Sequence, residues 1–423
     1  MALLNSLLDL KAFLKCGALL DMGNQKVLVG FGNREWLKKP MGHNLPHFYF
    51  PDFLLKAANP WFTHQSFLVV TKESLLNLLQ QEIALNLETA VRDAKLAQDL
   101  ELESLFRGAG HSQVVKDRLT ANDSGSRDCV KLASPTAVSR LNLETLITWD
   151  FISEHQFKQS FCETKMQIEK GCLKKAVPYA MQMANHKVTK FQLQKSLISC
   201  LKFTLQNRSF IYGFWDNNGL NSHGMLGATP EILFKQRQQG DISTMACAGT
   251  KASDVPSLSF LLDRKERKEH AIVIKDIATV LKHFGLVSYG RKKVVTFRKL
   301  KHLITKILLK PAIDKKLPSF IDLIEALHPT PALGVFPRRH GVKYFTRLES
   351  RLKRDRFGAP VGYYIPNTPH SSSCCYVAIR NMQWTSNQIK LFAGCGVMAL
   401  SHYKREWDEI LLKFSAIKEI LAL

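Results

Sequence analysis

The sequence predicts an α+β protein. Short apolar runs bounded by glycine and polar turn residues recur along the chain and read as strands. Only a few stretches carry helical periodicity. Strands outnumber the helices available as crossovers, which sets aside a doubly wound α/β fold. With 423 residues, 45% of them hydrophobic, the chain can bury a large core in one big domain or two.

The elements follow in order. Gln25–Gly32 reads as a strand ending at a glycine turn, and Ser66–Val70 as another. Glu73–Leu87 has helical spacing. From Gly108 to Arg140 the chain is polar and includes Asn122-Asp123-Ser124-Gly125-Ser126, which marks a loop or a domain boundary. Ser209–Trp215 is a strand, followed by a turn at Asp216–Gly219. A lone carboxylate, Glu231, precedes the apolar run Ile232–Phe234. Glu266–Phe284 is a helix whose apolar stripe is Ile272, Ile277, Val280 and Leu281. Tyr376–Trp384 and Gln388–Phe392 read as hairpin strands, and Tyr403–Leu423 as a closing amphipathic helix. No internal repeat of solenoid period is present.

Composition narrows the function. Aromatic content is 9% and charged content 22%, ordinary for a soluble globular protein. No apolar run reaches the length of a membrane span. The start, Met1-Ala2-Leu3-Leu4-Asn5, has no basic region, long apolar region or cleavage site of a secretory signal. Nine cysteines, an odd number without a CxxC pair, read as reduced thiols, so a cytoplasmic protein is expected. The net charge is +23. The basic residues form short clusters such as Arg264-Lys265-Glu266-Arg267-Lys268 and Arg291-Lys292-Lys293. No zinc-finger or RNP-type signature accompanies them. Nucleic acid is therefore not expected as the primary partner, and the charge reads as a general field attractive to anions.

Single motifs are weak here. Ala393-Gly394-Cys395-Gly396-Val397 puts two glycines after a strand, where backbone amides can approach an anion, although a plain turn explains it as well. Glu406, Glu409 and Lys413 share one helix face at i, i+3 and i+7. Two carboxylates one turn apart can reach one hard cation, and Mg2+ takes oxygen ligands. A solvated charged face is the bland reading. Glu269, early in another helix, is equally a glutamate favoured by the helix dipole.

The ordered set is more specific. Gly227-Ala228-Thr229-Pro230-Glu231, Ala248-Gly249-Thr250, Lys268-Glu269-His270, Leu327-His328-Pro329-Thr330-Pro331-Ala332, Phe357-Gly358-Ala359-Pro360-Val361-Gly362, Val377-Ala378-Ile379-Arg380, Ala393-Gly394-Cys395-Gly396 and Glu406-Trp407-Asp408-Glu409 with Lys413 follow one another. In this order they resemble the chorismate-utilising enzymes, a family that includes isochorismate, salicylate, anthranilate and aminodeoxychorismate synthases. The resemblance spans roughly Trp149–Leu423. It divides the chain into a weakly matching N-terminal α+β part, 1–145, and a chorismate-binding region, 146–423, within one continuous fold. It also implies the architecture: large antiparallel sheets packed as a sandwich, helices outside, and the site in a cleft between halves.

The resemblance implies roles as well. Glu269 and Glu409 match the glutamates that hold Mg2+, and Glu406 matches a further acidic position. Arg380 matches the arginine that grips the enolpyruvyl carboxylate, where a bidentate fork suits the task. Amides near Gly394 and Gly396 would complete that grip, and Lys413 would line the anion site. Thr250 and His328 match polar positions around the ring, although His328 also reads as a core histidine capping a loop. Isochorismate and salicylate synthases resemble each other in a lysine base within a K-x-V strand. Ile168–Pro178 looks like that strand, with Lys175 in register and Lys174 the alternative. Glu231 matches the general acid, which must be held protonated.

The lysine favours water over ammonia as nucleophile. The expected reaction is Mg2+-dependent isomerisation of chorismate to isochorismate. Salicylate synthase, an ammonia-using component I with a glutaminase partner, and a catalytically silent basic binding protein are the rivals. Departures from the family pattern mark a divergent member. Val335 follows Gly334 where a second glycine is common, Gly358-Ala359 inverts the usual order, Ser401–Lys404 lacks a proline, and Lys175–Pro178 lacks an arginine.

Overall fold

The computed structural model describes residues 7–41, 45–86, 88–89, 92, 146–237, 240–312, 317–366 and 373–423. Its contacts define a large unit, residues 1–76 with 148–423, and a small one, residues 77–147. In the small unit, residues 77–86 continue a helix that starts at residue 72. The polar stretch expected as a loop, 108–140, and the N-terminal residues 1–6 lie outside the described residues.

The large unit is α+β, as expected. Among the described residues, seventeen strands join one hydrogen-bonded network and two more form a small separate pair. Every described pairing is antiparallel. The layers are continuous with each other, because His47–Tyr49 pairs with both Pro360–Tyr364 and Trp61–Thr71. The N-terminal strand Cys16–Gly23 lies between Lys26–Leu37 and Phe210–Asp216, so early residues are woven into the main sheet.

Two buried clusters hold the layers together. An aromatic one gathers Phe48, Phe50, Phe62, Tyr212, Phe214 and Tyr376 between strands from both ends of the chain. Phe48 and Phe62 stack with centroids 5.2 Å apart. The larger cluster packs Val273, Ile277 and Leu281 of the helix Arg264–Leu281 and Leu323, Ile324 and Leu327 of the helix Phe320–Leu327 onto the sheet. Each such side chain, fully buried, contributes roughly 1.5–3 kcal/mol.

Several elements differ from the sequence reading. The first predicted strand does not end at Gly32. It runs Lys26–Leu37 through an irregularity between Phe31 and Arg34, where Gly32 takes φ +83° and lets the pairing continue. The second spans Trp61–Thr71, longer than the apolar run that signalled it. The helix expected from Glu266 starts at Arg264, because Asp263 caps it, accepting from the amides of Lys265 and Glu266. Its core stripe includes Val273, while Ile272 and Val280 are only partly buried. The strand read as Tyr376–Trp384 is two strands, Ser373–Val377 and Asn381–Thr385. Arg380 breaks it with φ +58°, a left-handed conformation unusual for a side chain of this size. The eight described cysteines are free thiols, including Cys374 and Cys375 side by side on one strand. Among the described residues no helix is long and apolar enough to cross a membrane.

Candidate active site

The small strand pair positions Lys175. Lys175–Ala176 pairs with Val335–Phe336, and Val397 N–H donates to the Ala176 carbonyl. The Lys175 side chain is fully buried. Its ammonium donates to the Pro331 carbonyl and stands 3.2 Å from Glu269 Oε1. Lys174, the alternative register, is exposed.

Glu231 sits in the tight link between the strands His223–Thr229 and Ile232–Gln236. Its amide donates to Thr229 Oγ1 and its carbonyl accepts from Val377 N–H. The side chain is 4% exposed. Burial pushes the carboxyl up to about 8, against the opposing pull of Lys175 and Arg380.

Arg380 is buried, and its left-handed backbone turns it out of the sheet ladder. Its Nη2 lies 3.3 Å from His302 Nε2. His302 Nδ1 lies 3.2 Å from the Gly249 carbonyl, which assigns the proton to Nδ1 and leaves Nε2 to accept from Arg380. Burial, then Arg380, holds the imidazole well below its usual range and hence neutral. Gly249 itself takes φ +83° at a register shift between Ile242–Ala252 and Leu300–Pro311. The shift sets Thr250 opposite His302, with Oγ1 to Nδ1 at 3.3 Å. Thr250 N–H donates to Glu266 Oε2 at 3.0 Å.

The acidic residues come from two helices. Arg264–Leu281 carries Glu266 and Glu269, and Tyr403–Leu421 carries Glu406 and Glu409. Both pairs have i, i+3 spacing. Lys265 Nζ lies at the focus, 3.3 Å from Glu266 Oε1, 3.1 Å from Glu269 Oε2 and 3.4 Å from Glu406 Oε1. Burial disfavours the Lys265 charge, yet the carboxylates around it keep the ammonium well above its ordinary range. Burial raises Glu266 to about 7. Glu269, although buried, is driven down by Lys265 and Lys175. Glu406 is raised by burial, and its Oε2 is buried without a hydrogen-bond partner. Among the described residues, no three carboxylate, imidazole or thiol side chains close up as a ready-made ligand set. A lysine ammonium stands among the carboxylates instead.

Glu409 Oε1 is taken by Lys413 Nζ at 2.6 Å, and the same ammonium donates to the Gly394 carbonyl at 2.6 Å. Lys413 therefore ties the second helix to the glycine turn. Amides beside Gly394 and Gly396 are already used: Cys395 N–H donates to Pro178 O and Val397 N–H to Ala176 O. Gly396 is where helix and turn come closest. A Cβ there would lie 2.0 Å from Glu269 Oε1 and 2.8 Å from Lys175 Cε.

A cavity of about 550 Å³ opens onto this cluster, lined among others by Thr250, Lys265, Glu266, Glu406 and Glu409. Lys175, Glu231 and Arg380 lie outside its lining. His328 stands apart. It is partly buried, its Nε2 is 2.8 Å from the Phe53 carbonyl, and its charged neighbours are Arg354, Arg338 and Asp52. It borders a different cavity, of about 420 Å³, with Phe53, Val335 and Phe345. The structure thus brings together Lys175, Glu269, Glu406 and Thr250, places Glu231 and Arg380 in their field, joins Glu409 to Gly394 through Lys413, and separates His328. Glu266, Lys265 and His302 were not picked out from the sequence. Glu266 had the same i, i+3 signal that singled out Glu406 and Glu409. His302 had none of its own.

A buried carboxyl, a buried amine and a buried guanidinium thus stand near a carboxylate cluster that lines a cavity. Comparison with known proteins gives the family. The profile described as chorismate binding enzyme matches residues 107–422, and the chain belongs to that family. The salicylate biosynthesis isochorismate synthase of Pseudomonas aeruginosa is 34% identical over 209 residues, covering 47% of this chain and 42% of that protein. The isochorismate synthase EntC of Escherichia coli is 28% identical over 209 residues, 47% of this chain and 51% of its own. These matches span about half the length of the curated relatives. Among solved structures, the menaquinone-specific isochorismate synthase MenF from Escherichia coli superposes with a TM-score of 0.66 at 16% identity, covering 98% of this chain and 91% of that one. Anthranilate synthase component I from Streptococcus pneumoniae gives 0.57 at 16% identity, covering 95% and 89%. These likenesses establish a shared fold.

Proposed function

We propose that the chain isomerises chorismate to isochorismate, adding water at C2 as the C4 hydroxyl leaves. The observation that carries this reading is Glu231, a buried carboxyl pushed up to about 8 within the field of Lys175 and Arg380. A carboxyl that keeps its proton at neutral pH can deliver it to a departing hydroxyl. Lys175 takes the proton of the attacking water, and the two transfers balance, so product and substrate are isomers. Glu269, 3.2 Å away, and the Pro331 carbonyl hold this amine in place. Arg380 holds a substrate carboxylate, with neutral His302 fixing the guanidinium from behind. Thr250, at the cavity wall, orients the ring.

The carboxylates of Glu266, Glu269, Glu406 and Glu409 fit Mg2+, because all donors are oxygen and Glu406 Oε2 is buried without a partner. When bound, the ion supplies positive charge for a substrate carboxylate. The names of the relatives support water as nucleophile. The test is product analysis by chromatography after incubating the purified protein with chorismate, with and without Mg2+. Isochorismate supports the reading. Salicylate with pyruvate, or an amino product that needs ammonium, would reassign the reaction within the family. No turnover under either condition would leave only common descent.

A further inference from the structure

We propose that Lys265 is a resident counter-ion of the acidic cluster, and that a divalent cation enters by exchange with its ammonium. The inference rests on the reading of this cluster as a cation site. Three observations carry it. First, Lys265 Nζ is within 3.1–3.4 Å of carboxylates from both helices, Glu266 and Glu269 on one and Glu406 on the other. A single side-chain charge thus bridges the two helices. Second, the ring is incompletely satisfied. Glu406 Oε2 is buried and unpartnered, as expected where a monovalent ammonium neutralises donors that could serve a divalent ion. Third, the lysine has somewhere to go. Its side chain is 14% exposed and lines the cavity of about 550 Å³, whereas Glu269, which it contacts, does not. Asp263, 3.1 Å from Lys251 Nζ, lines the same cavity and offers a carboxylate to an ammonium that swings outward.

The exchange raises the charge within the ring by one positive unit: one dication enters, and one ammonium leaves the ring while staying on the protein. Without the ion, Lys265 keeps the like charges of the ring from repelling one another. With the ion, Lys265 leaves the position between the cavity and Glu269. Its cost is affinity, because every binding event must first break the contacts of the ammonium.

The experiment is a direct metal titration of the full chain without substrate, with Mn2+ as probe and the free ion followed by electron paramagnetic resonance. Thermal melts in the presence and absence of metal check that each variant is folded. Lys265→Met should bind Mn2+ at least 10-fold more tightly than the wild type, and its metal-free form should melt lower. Lys265→Arg, which keeps the charge with a bulkier head, should bind at least 10-fold more weakly. If both variants bind with the wild-type Kd, Lys265 is not the occupant and the inference fails, while Mg2+-dependent turnover by the wild type would leave the cation-site reading intact. If neither wild type nor variants bind Mn2+, the cation site itself fails, and the inference with it.

Discussion

Lys175 Nζ and Glu269 Oε1 form an ion pair at 3.2 Å, with both side chains buried. The residue offered as base and a residue offered as metal ligand are therefore each other's partner. Whatever claims Glu269 also changes Lys175. Base and cation site should respond together in any variant.

Lys175→Ala should lower kcat by about 10²–10⁴-fold, the usual worth of a positioned base. It also leaves Glu269 with one buried ammonium partner fewer. The measurement is isochorismate formation at saturating chorismate beside a thermal melt. A folded variant with wild-type kcat would remove Lys175 from the reaction.

The alkaline limb of activity should belong to Glu231. Its carboxyl must carry a proton to act, and burial sets it at about 8, so kcat should fall as pH rises through that value. Glu231→Gln should cost about 10²–10⁴-fold in kcat with a smaller change in KM. A kcat profile flat from neutrality to pH values well above 8 would contradict the assignment.

The same residue predicts a stability trend. The folded state binds this proton more tightly than the unfolded chain, whose glutamates titrate near their ordinary value of 4.5. Stability from Glu231 is therefore complete below the unfolded value and declines as pH rises towards about 8, by up to about 1.4 kcal/mol per pH unit. Glu231→Gln should melt with a shallower pH dependence over that window. Denaturant unfolding at several pH values measures the slope.

Arg380→Lys should raise KM for chorismate at least 10-fold. A lysine has no planar fork for a carboxylate and cannot reproduce the approach to His302 Nε2 at 3.3 Å. An unchanged KM would place the substrate carboxylate elsewhere.

Gly396→Ala should disturb the site directly. Its Cβ would fall 2.0 Å from Glu269 Oε1 and 2.8 Å from Lys175 Cε. Overpacking of this kind costs about 1–3 kcal/mol, and relief requires the acid–amine pair to move apart. Turnover should fall more than 10-fold even where the melt shows a folded protein. Full activity would mean that the turn can shift freely.

Much of the fold was legible because its signals are local. The closing helix shows its apolar face in Trp407, Ile410 and Phe414, all buried, although Leu411, read as part of the same stripe, is 42% exposed. Strand ends were misplaced where polar residues such as His64 and Arg34 continue a ladder that apolar patterning does not mark. Arg380 was found as a residue, but its strand break was not, since nothing in Val377-Ala378-Ile379-Arg380 announces a left-handed backbone. Glu266 and Glu269 stand one turn apart just as Glu406 and Glu409 do, but that spacing is common on solvated helices and marks a site only where the two helices converge. Lys265 read as part of a solvated basic cluster, and only the convergence of two distant helices reveals three carboxylates around it. His302 becomes meaningful only through the register that sets it opposite Thr250.

The family profile begins at residue 107, yet the strand Cys16–Gly23 fills a place between Lys26–Leu37 and Phe210–Asp216. The boundary of recognisable ancestry and the boundary of mechanical integrity are thus different lines on the same chain. Trimmed to the recognisable part, the protein would bare the backbone edge of Phe210–Asp216 and of Pro360–Tyr364, which His47–Tyr49 now covers. Such edges invite pairing between molecules. The loss would reach inward as well, because the same early residues carry Phe48, Phe50 and Phe62 into the aromatic cluster.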